Sequence, residues 1–568
     1  MVRSSPRSPA CVALLLLLVG VARVCAAGAT NGGGAASPLS VVLVHLHPPI
    51  DFAPQSRLSQ QLQHKNNQDE KIGLAMKRGE SRECVYRVMK EYVRASQTSV
   101  SAFITQSFQQ NQGLNDWIEG IEHLWIQNTL VVRVKRDDGG ITTGSSANET
   151  AKRDFFERTL RWVPGVIEVE FDSAIVRLLD VIPKDEDFGG EDKNIVGDMP
   201  QSNIALLHAP ALWAQNVRGK GVVIANIDSG VRYTHEALRD SFRGKPAQDG
   251  GAVQFDYAFW FTPGTDMTKE TPDTADMVGH GTHTMGTIVG GNGIGMAPEA
   301  TWITARTFDI FGAANKSDFL LAAQWVLCPT KSDGSGRNCS LGADLISNSF
   351  GIDRSSPGYK DWTWMSDVVQ TWHAAGSYPV FASGNTNGFL CGSVYYPGSL
   401  ERSVAVGALV GGSSLWGASG KGPVYTDDTG DHGDERTFLI KPDLVAPGVG
   451  IRSALSVKDN SYTRLTGTSM ATPHVAGAIA LLLSLYDQAP PAMAKLVTAL
   501  KGVATRDFSK PFLVPSACGN TTYKQYPNNI YGWGMPNVCS AATELGFPCK
   551  ESGAWAYLDV ADALVEIE

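Results

Sequence analysis

Apolar residues follow two regimes along the chain. From Val41 to Phe171, short apolar runs alternate with helical patterns. Val41–Leu46 (VVLVHL), Thr129–Val134 (TLVVRV) and Val166–Phe171 predict strands. Residues 83–108 carry Val85, Val88, Met89, Tyr92 and Val93 at a helical period, and 150–162 also reads as helical before a turn at Pro164-Gly165. Strand, helix, strand, helix, strand is the order of a small ferredoxin-like or split βαβ α+β unit. Beyond Leu206 the strands Val222–Ile227, Thr301–Ala305, Leu345–Asn348, Val380–Ala382 and Val404–Ala408 alternate with helical patterns near 317–328 and 361–375. This alternation predicts an α/β domain, a doubly wound parallel sheet with helices on both faces. Ser469–Leu485 is apolar nearly all round, as a buried central helix must be.

Between the two regimes, residues 184–200 (KDEDFGGEDKNIVGDMP) are acidic, contain glycine and hold few apolar side chains. They read as a linker, and exposed linkers attract proteolytic nicking. The predicted division is a leader at 1–27, an α+β domain at 28–190 with its linker reaching about 200, and a large domain at 201–568. Arg3 and Arg7 precede the apolar run Cys11–Ala22, and Val24-Cys25-Ala26 offers small residues for cleavage, so 1–27 is expected to be a secretory signal. The run is shorter than the roughly 20 residues a spanning helix needs. No later apolar stretch reaches that length, so no membrane span is expected.

Cysteine usage agrees with an exported or lumenal protein. Of nine cysteines, Cys11 and Cys25 fall in the leader and Cys84 in the α+β unit. The remaining six, Cys328, Cys339, Cys391, Cys518, Cys539 and Cys549, are an even set able to form disulfides outside the cytosol. Cys328 with Cys339, and Cys539 with Cys549, are neighbours in sequence, which would leave Cys391 with Cys518. Six cysteines nevertheless allow 15 connectivities, and sequence does not choose among them. Asn148, Asn315, Asn338 and Asn520 open glycosylation triplets. The net charge is −9 with no long basic run, which removes nucleic acid and anionic membranes as expected partners. Charged residues are 18% of the chain, below the roughly 25% usual for soluble domains.

Three short motifs bear chemistry. Ile224-Ala225-Asn226-Ile227-Asp228-Ser229-Gly230 is a strand ending in a carboxylate. Gly279-His280-Gly281-Thr282-His283 is a glycine-flanked histidine. Gly467-Thr468-Ser469 opens the apolar helix. A serine hydroxyl needs a base to become a nucleophile, histidine titrates in the right range to be that base, and a carboxylate fixes the imidazole tautomer. Alone, each motif has a bland reading: a strand-end turn, a lone histidine, an N-cap serine. Together, in the order Asp, His, Ser, they match the subtilisin order of a triad.

The sequence resembles the subtilisin-like serine proteases, the subtilases, over roughly residues 201–545, with the closest likeness to the bacillopeptidase F branch. The residues that carry the resemblance are IANIDSGV around Asp228, GHGTHTMGTIVG from Gly279, and GTSMATPHVAGAIALL from Gly467. WIQNTLVVRV (125–134), ISNSFG (346–351) and YGWGMPN (531–537) point to the branch. The resemblance implies Asp228 as orienting acid, His280 as general base and Ser469 as nucleophile, with His283 and His474 structural. Val380–Asn385 (VFASGN) is similar to the segment that ends in an oxyanion-hole asparagine, here Asn385. Ser349, Phe350 and Gly351 resemble the edge that pairs with extended substrate, and Gly312-Ala313-Ala314 the opposite edge. Gly351 with Ala382, Ser383 and Gly384 would wall the first specificity pocket. None of these is acidic, so no demand for a basic substrate side chain is expected, and the pocket floor is not legible. The α+β unit falls where subtilases carry an inhibitory propeptide removed by self-cleavage, and the acidic linker is the expected scissile region. Residues 57–120 form a helical insertion of unassigned role.

No cofactor is required for the implied chemistry and no metal ligands are expected. Gly290–Gly295 is too short to wrap a calcium ion, and Asp427, Asp428, Asp431, Asp434 and Glu435 lack EF-hand spacing. The expectation is a secreted (or secretory-pathway or vacuolar lumenal) serine endopeptidase, made as a self-processing zymogen, with protein or peptide substrates and its own propeptide as inhibitor. A catalytically silent binding module would not need all four of Asp228, His280, Asn385 and Ser469. An α/β-hydrolase esterase would carry GxSxG rather than GTSMA.

Overall fold

The computed structural model describes residues 41–46, 80–110, 117–134, most of 152–179 and, apart from short gaps, 199–550. The leader 1–27, residues 57–79 of the insertion, Asn148, residues 184–198 of the acidic stretch and the cluster Asp427–Glu435 lie outside the described residues.

The small unit contains β1 (Val41–Leu46), helix α1 (Glu80–Gln110), β2 (Ile118–Leu124), β3 (Thr129–Val134) and β4 (Val166–Phe171). Its strands form one antiparallel sheet in the order β2-β3-β1-β4. The helix read at 83–108 extends over 80–110. Two features differ from the sequence reading. β2 is an added strand, and the helical stretch at 150–162 contains a single π-helical turn, Phe156–Leu160. β2 (IEGIEHL) is mostly half-exposed and has two glutamates and a glycine, so it lacks the apolar run that marks β1 and β3.

The apolar runs of β1 and β3 have a structural cause. Val42, Val44, Leu130 and Val132 face the small unit's own core with Val100, Ile104 and Phe156. Val41, Leu43 and Val131 join a second core with Phe319, Leu320 and Ala323 of the large unit. A sheet covered on both faces needs apolar residues at successive positions rather than alternate ones. Polar contacts pin the same interface. Arg82 pairs with Asp344 at 3.1 Å and donates to the carbonyls of Cys339 and Ala343, all buried. Lys316 reaches Glu170 at 2.6 Å, and Arg133 bridges Glu122 and Asp318. Beyond the small sheet, Ile175–Arg177 forms a separate strand, β5.

The large unit is an eight-stranded, mostly parallel sheet. Its path strands are β6 (Val223–Asp228), β7 (Phe259–Phe261), β8 (Thr301–Arg306), β10 (Leu345–Asn348), β11 (Tyr378–Ala382), β12 (Val404–Val410) and β13 (Ser414–Leu415). The order is β13-β12-β11-β10-β6-β8-β7, and β14 (Leu444–Pro447) also pairs with β12. Helix α2 (His280–Val289) follows β7, and α3 (Lys316–Leu327) follows the short strand β9 (Ala313–Asn315). Helix α4 spans Met365–Ala374, and α5 spans Thr468–Leu483. All sixteen residues of α5 are buried, as its apolar circumference predicts. Disulfides join Cys328–Cys339, Cys391–Cys518 and Cys539–Cys549. Among the described residues, no helix is long and apolar enough to cross a membrane.

The topology locates the site. From β6 the chain builds outward through β8 on one side, then crosses to β10, β11 and β12 on the other. The carboxyl ends of strands beside such a switch point form a crevice in open α/β sheets. Asp228 ends β6, Ser349 follows β10, and Ser383, Gly384 and Asn385 follow β11.

Candidate active site

The carboxylate and the imidazole meet across a glycine. Asp228 and His280 are both buried, and the His280 Nδ1–H donates to Asp228 Oδ1 at 2.8 Å. An ionised carboxylate can only accept, so Nδ1 carries the proton and Nε2 is the basic nitrogen. Asp228 Oδ1 also accepts from the Ser229 N–H at 2.7 Å, and Oδ2 faces the Thr284 hydroxyl at 3.4 Å. Gly281 makes the approach possible. A Cβ there would lie 2.0 Å from the Gly230 carbonyl oxygen and 3.1 Å from Asp228 Cβ.

A second carboxylate holds this junction in place. Asp276 Oδ1 accepts from the N–H groups of Val278 and Gly279 and from the Ser229 hydroxyl. Its Oδ2 accepts from the N–H and hydroxyl of Thr282. Ser229 Oγ in turn accepts from the Gly281 N–H at 2.9 Å. Asp276 therefore satisfies the open N–H groups at the start of α2 and ties them to the end of β6. Burial pushes its carboxyl upward, against the hydrogen bonds that favour the charged form.

Ser469 sits in the first turn of α5, where helix N–H groups lack intrahelical acceptors. Its hydroxyl faces the Ser349 carbonyl at 3.4 Å. Pro473, four residues on, has no N–H to bond the Ser469 carbonyl. The Ser349 hydroxyl donates to that carbonyl instead, at 3.1 Å. A proline inside the helix thus fastens the β10 edge to the serine. On the other side, Asn385 Oδ1 accepts from the Thr468 N–H at 3.0 Å and from its hydroxyl at 2.7 Å. Of the two ends of the amide only the oxygen can accept from a backbone N–H, which settles the orientation and turns Nδ2 away from Thr468. The Gly384 N–H donates to the Thr468 hydroxyl at 3.2 Å.

His283 and His474 are fully buried and structural in their contacts. His283 Nε2 bonds the Ile451 carbonyl at 2.9 Å. His474 Nδ1 bonds the Met470 carbonyl at 2.8 Å, and its Nε2 pairs with Asn203. Burial lowers His283 to about 3, helped by neighbouring His280, and lowers His474 to about 4. Both stay neutral near pH 7, which leaves His280 as the histidine hydrogen-bonded to a carboxylate here.

The groove beside Ser469 holds part of the chain itself. β5 pairs antiparallel with β9, through Ile175–Asn315, Val176–Ala314 and Arg177–Ala313. Leu178 bridges to Phe350 and donates its N–H to the Gly312 carbonyl at 2.9 Å. The Leu179 N–H points to the Ser349 carbonyl at 3.5 Å. Val176 and Leu178 are buried, whereas Arg177 is exposed.

The model of the subtilase family matches residues 219–534. The chain belongs to the subtilase family. It is a subtilisin-like serine endopeptidase by that membership. It is 33% identical over 350 residues to bacillopeptidase F of Bacillus subtilis, covering 60% of this chain and 22% of that protein. It is 28% identical over 389 residues to M-protease of Shouchella clausii, covering 66% of this chain and 80% of the relative. Subtilisin E of Bacillus subtilis is 29% identical over 360 residues, at 62% and 74% coverage.

In this subtilase the structure brings Asp228 and His280 into contact, ties Ser349, Gly384 and Asn385 to the Ser469 turn, and pairs Phe350 with Leu178 through the backbone, whereas Ala382 is the buried end of β11 and the Phe350 side chain lies in the core. The sequence reading gave no role to Asp276, Ser229 or Thr468. Asp276 stands four residues before His280, where an acidic N-terminal signal of α2 could have marked it. Thr468 was masked by the serine beside it. Among the described residues, no group of three or more His, Cys, Asp or Glu could hold a metal ion.

Proposed function

We propose that this subtilase cuts peptide bonds through an acyl-enzyme on Ser469 and matures by cutting itself. His280 Nε2 takes the Ser469 hydroxyl proton as Oγ bonds to the substrate carbonyl carbon. The same proton passes to the leaving amine as the peptide C–N bond breaks. Water then repeats the sequence in reverse and frees the carboxylate product. Asp228 holds the imidazole and stabilises its cationic form. The Asn385 side-chain NH2 and the Ser469 backbone N–H stabilise the oxyanion. This chemistry uses no cofactor.

The observation that carries the reading is the seating of 175–179. It lies as an added strand between the 312–315 and 349–350 edges, with Leu179 donating to the carbonyl that the Ser469 hydroxyl also faces. Strand addition is how extended peptides are recognised. In this reading the self-cleaved bond follows Leu179, upstream of the acidic linker where the sequence alone places the cut, so that residues 28–179 act as propeptide and intramolecular inhibitor. Export by the leader and passage to the extracellular space or a secretory lumen complete the proposal, and the cysteine pairs fit that compartment. Protein or peptide chains are the substrates.

The test is covalent. A fluorophosphonate probe on the mature protein should modify one serine, mapped by mass spectrometry to Ser469, and N-terminal sequencing should begin at Asp180. Labelling elsewhere, or none, would overturn the assignment of Ser469. A start inside 184–200 would overturn the register while leaving the nucleophile standing. Asn385→Ala is expected to lower kcat by about 10²–10³ with little change in KM, because the donor acts on the transition state. A loss below tenfold would remove Asn385 from the oxyanion site.

A further inference from the structure

We infer that Tyr395 forms the floor of the pocket for the substrate side chain at the cleaved bond, and that it confines that side chain to small or short aliphatic residues. The inference rests on the Ser469 reading above.

The segments 349–351 and 383–385 both attach to the serine turn, one through Ser349 and one through Gly384 and Asn385. The gap between them therefore opens beside Ser469, under the residue whose N–H docks on Ser349, which is Leu179. Tyr395 closes this gap from below. Its N–H donates to the Ser383 carbonyl at 2.8 Å, and Tyr396 pairs with Ile352 in both directions. The ring is inserted between the two glycines. A Cβ on Gly384 would stand 2.4 Å from ring Cγ and Cδ1, and a Cβ on Gly351 would stand 3.1 Å from Tyr395 Cβ and 3.4 Å from Cδ2. The hydroxyl donates to the Asn385 carbonyl at 3.2 Å, which fixes the ring.

The space that a substrate aromatic ring or a lysine stem would fill is thus taken by a side chain of the protein. The walls supply no carboxylate to receive a lysine or arginine head, and burying an unpaired charge is costly. Leucine and alanine need only the shallow apolar space above the ring. The half-buried Leu179 is the chain's own example. An exchange of this kind in an apolar pocket changes discrimination by roughly 10–200-fold.

A peptide library varied at the residue before the cut, run on the mature protein and its Tyr395 variants, tests this. The wild type should cleave after Leu or Ala at least tenfold better, by kcat/KM, than after Phe, Tyr or Lys. Tyr395→Ala should raise the Phe-to-Ala ratio at least tenfold. Tyr395→Phe, which keeps the ring and loses the hydroxyl, should keep the wild-type ratio. A wild type that prefers Phe, an unchanged ratio in Tyr395→Ala, or an equal shift in both variants would overturn the pocket assignment. Should Tyr395→Ala fail to fold, the wild-type profile and the Tyr395→Phe ratio still decide. A wild type that cleaves no peptide and takes no fluorophosphonate would instead sink the Ser469 reading itself.

Discussion

Ser469→Ala is expected to abolish peptide turnover, by about 10⁶ in kcat, the scale of losing the nucleophile in a triad of this type. The chain should then accumulate at precursor length, because the self-cleavage proposed after Leu179 would need the same hydroxyl. Folding should survive. The Ser469 hydroxyl makes a 3.4 Å contact with the Ser349 carbonyl, and removing such a long neutral contact costs on the order of 1 kcal/mol or less. The helix start keeps its ties through the Ser469 carbonyl and Thr468. Gel mobility, fluorophosphonate labelling and a melting curve check the three parts. An alanine variant that matures and labels normally would move the nucleophile elsewhere in the protein. Adding a trace of active enzyme separates folding from catalysis, since a folded variant can be trimmed in trans to the mature length.

Asp228→Asn is expected to lower kcat by about 10⁴ while leaving KM and the fold nearly unchanged. The substitution keeps the shape, but each orientation of the amide loses something. With its NH2 toward His280, the ring must accept at Nδ1 and carry its proton on Nε2, so it cannot take the serine proton. With its oxygen toward His280 the tautomer is right, yet the charge that stabilises the imidazolium is gone. The Ser229 N–H at 2.7 Å favours the second orientation, since it needs an acceptor there. Single-turnover kinetics on a small ester or peptide, beside a melting curve, read the effect. A loss of less than tenfold would mean that Asp228 only caps β6, and that Asp276 or another group supports the imidazole.

Much of the site was legible because its chemistry is written in local motifs. A strand that must end in a carboxylate, a helix that must begin with a glycine-flanked histidine, and a buried helix that must open on a serine each leave a short, dense signal. The strands β1, β3, β4, β6, β8 and β10 also emerged within a residue or so, because apolar runs between turn residues are local. The strand β2 and the π-turn at Phe156–Leu160 escaped because their burial is partial and their side chains do not repeat at a clear period.

By itself, then, the sequence determined the two regimes of the chain, the parallel α/β architecture and the family, and it marked Asp228, His280, Asn385 and Ser469 as candidates. Tertiary structure alone decided how they are held and what they face. Asp276 reaches Ser229 across forty-seven positions, Thr468 orients Asn385 across eighty-three, and Ser349 replaces the bond that Pro473 cannot make across one hundred and twenty. The same is true of Leu179 in the groove, of Tyr395 between Gly351 and Gly384, and of the large unit that covers the second face of the small sheet. These contacts depend on which strand edges and helix ends meet when the sheet closes. Local periodicity records only whether a side chain is buried, and not which distant residue it is buried against.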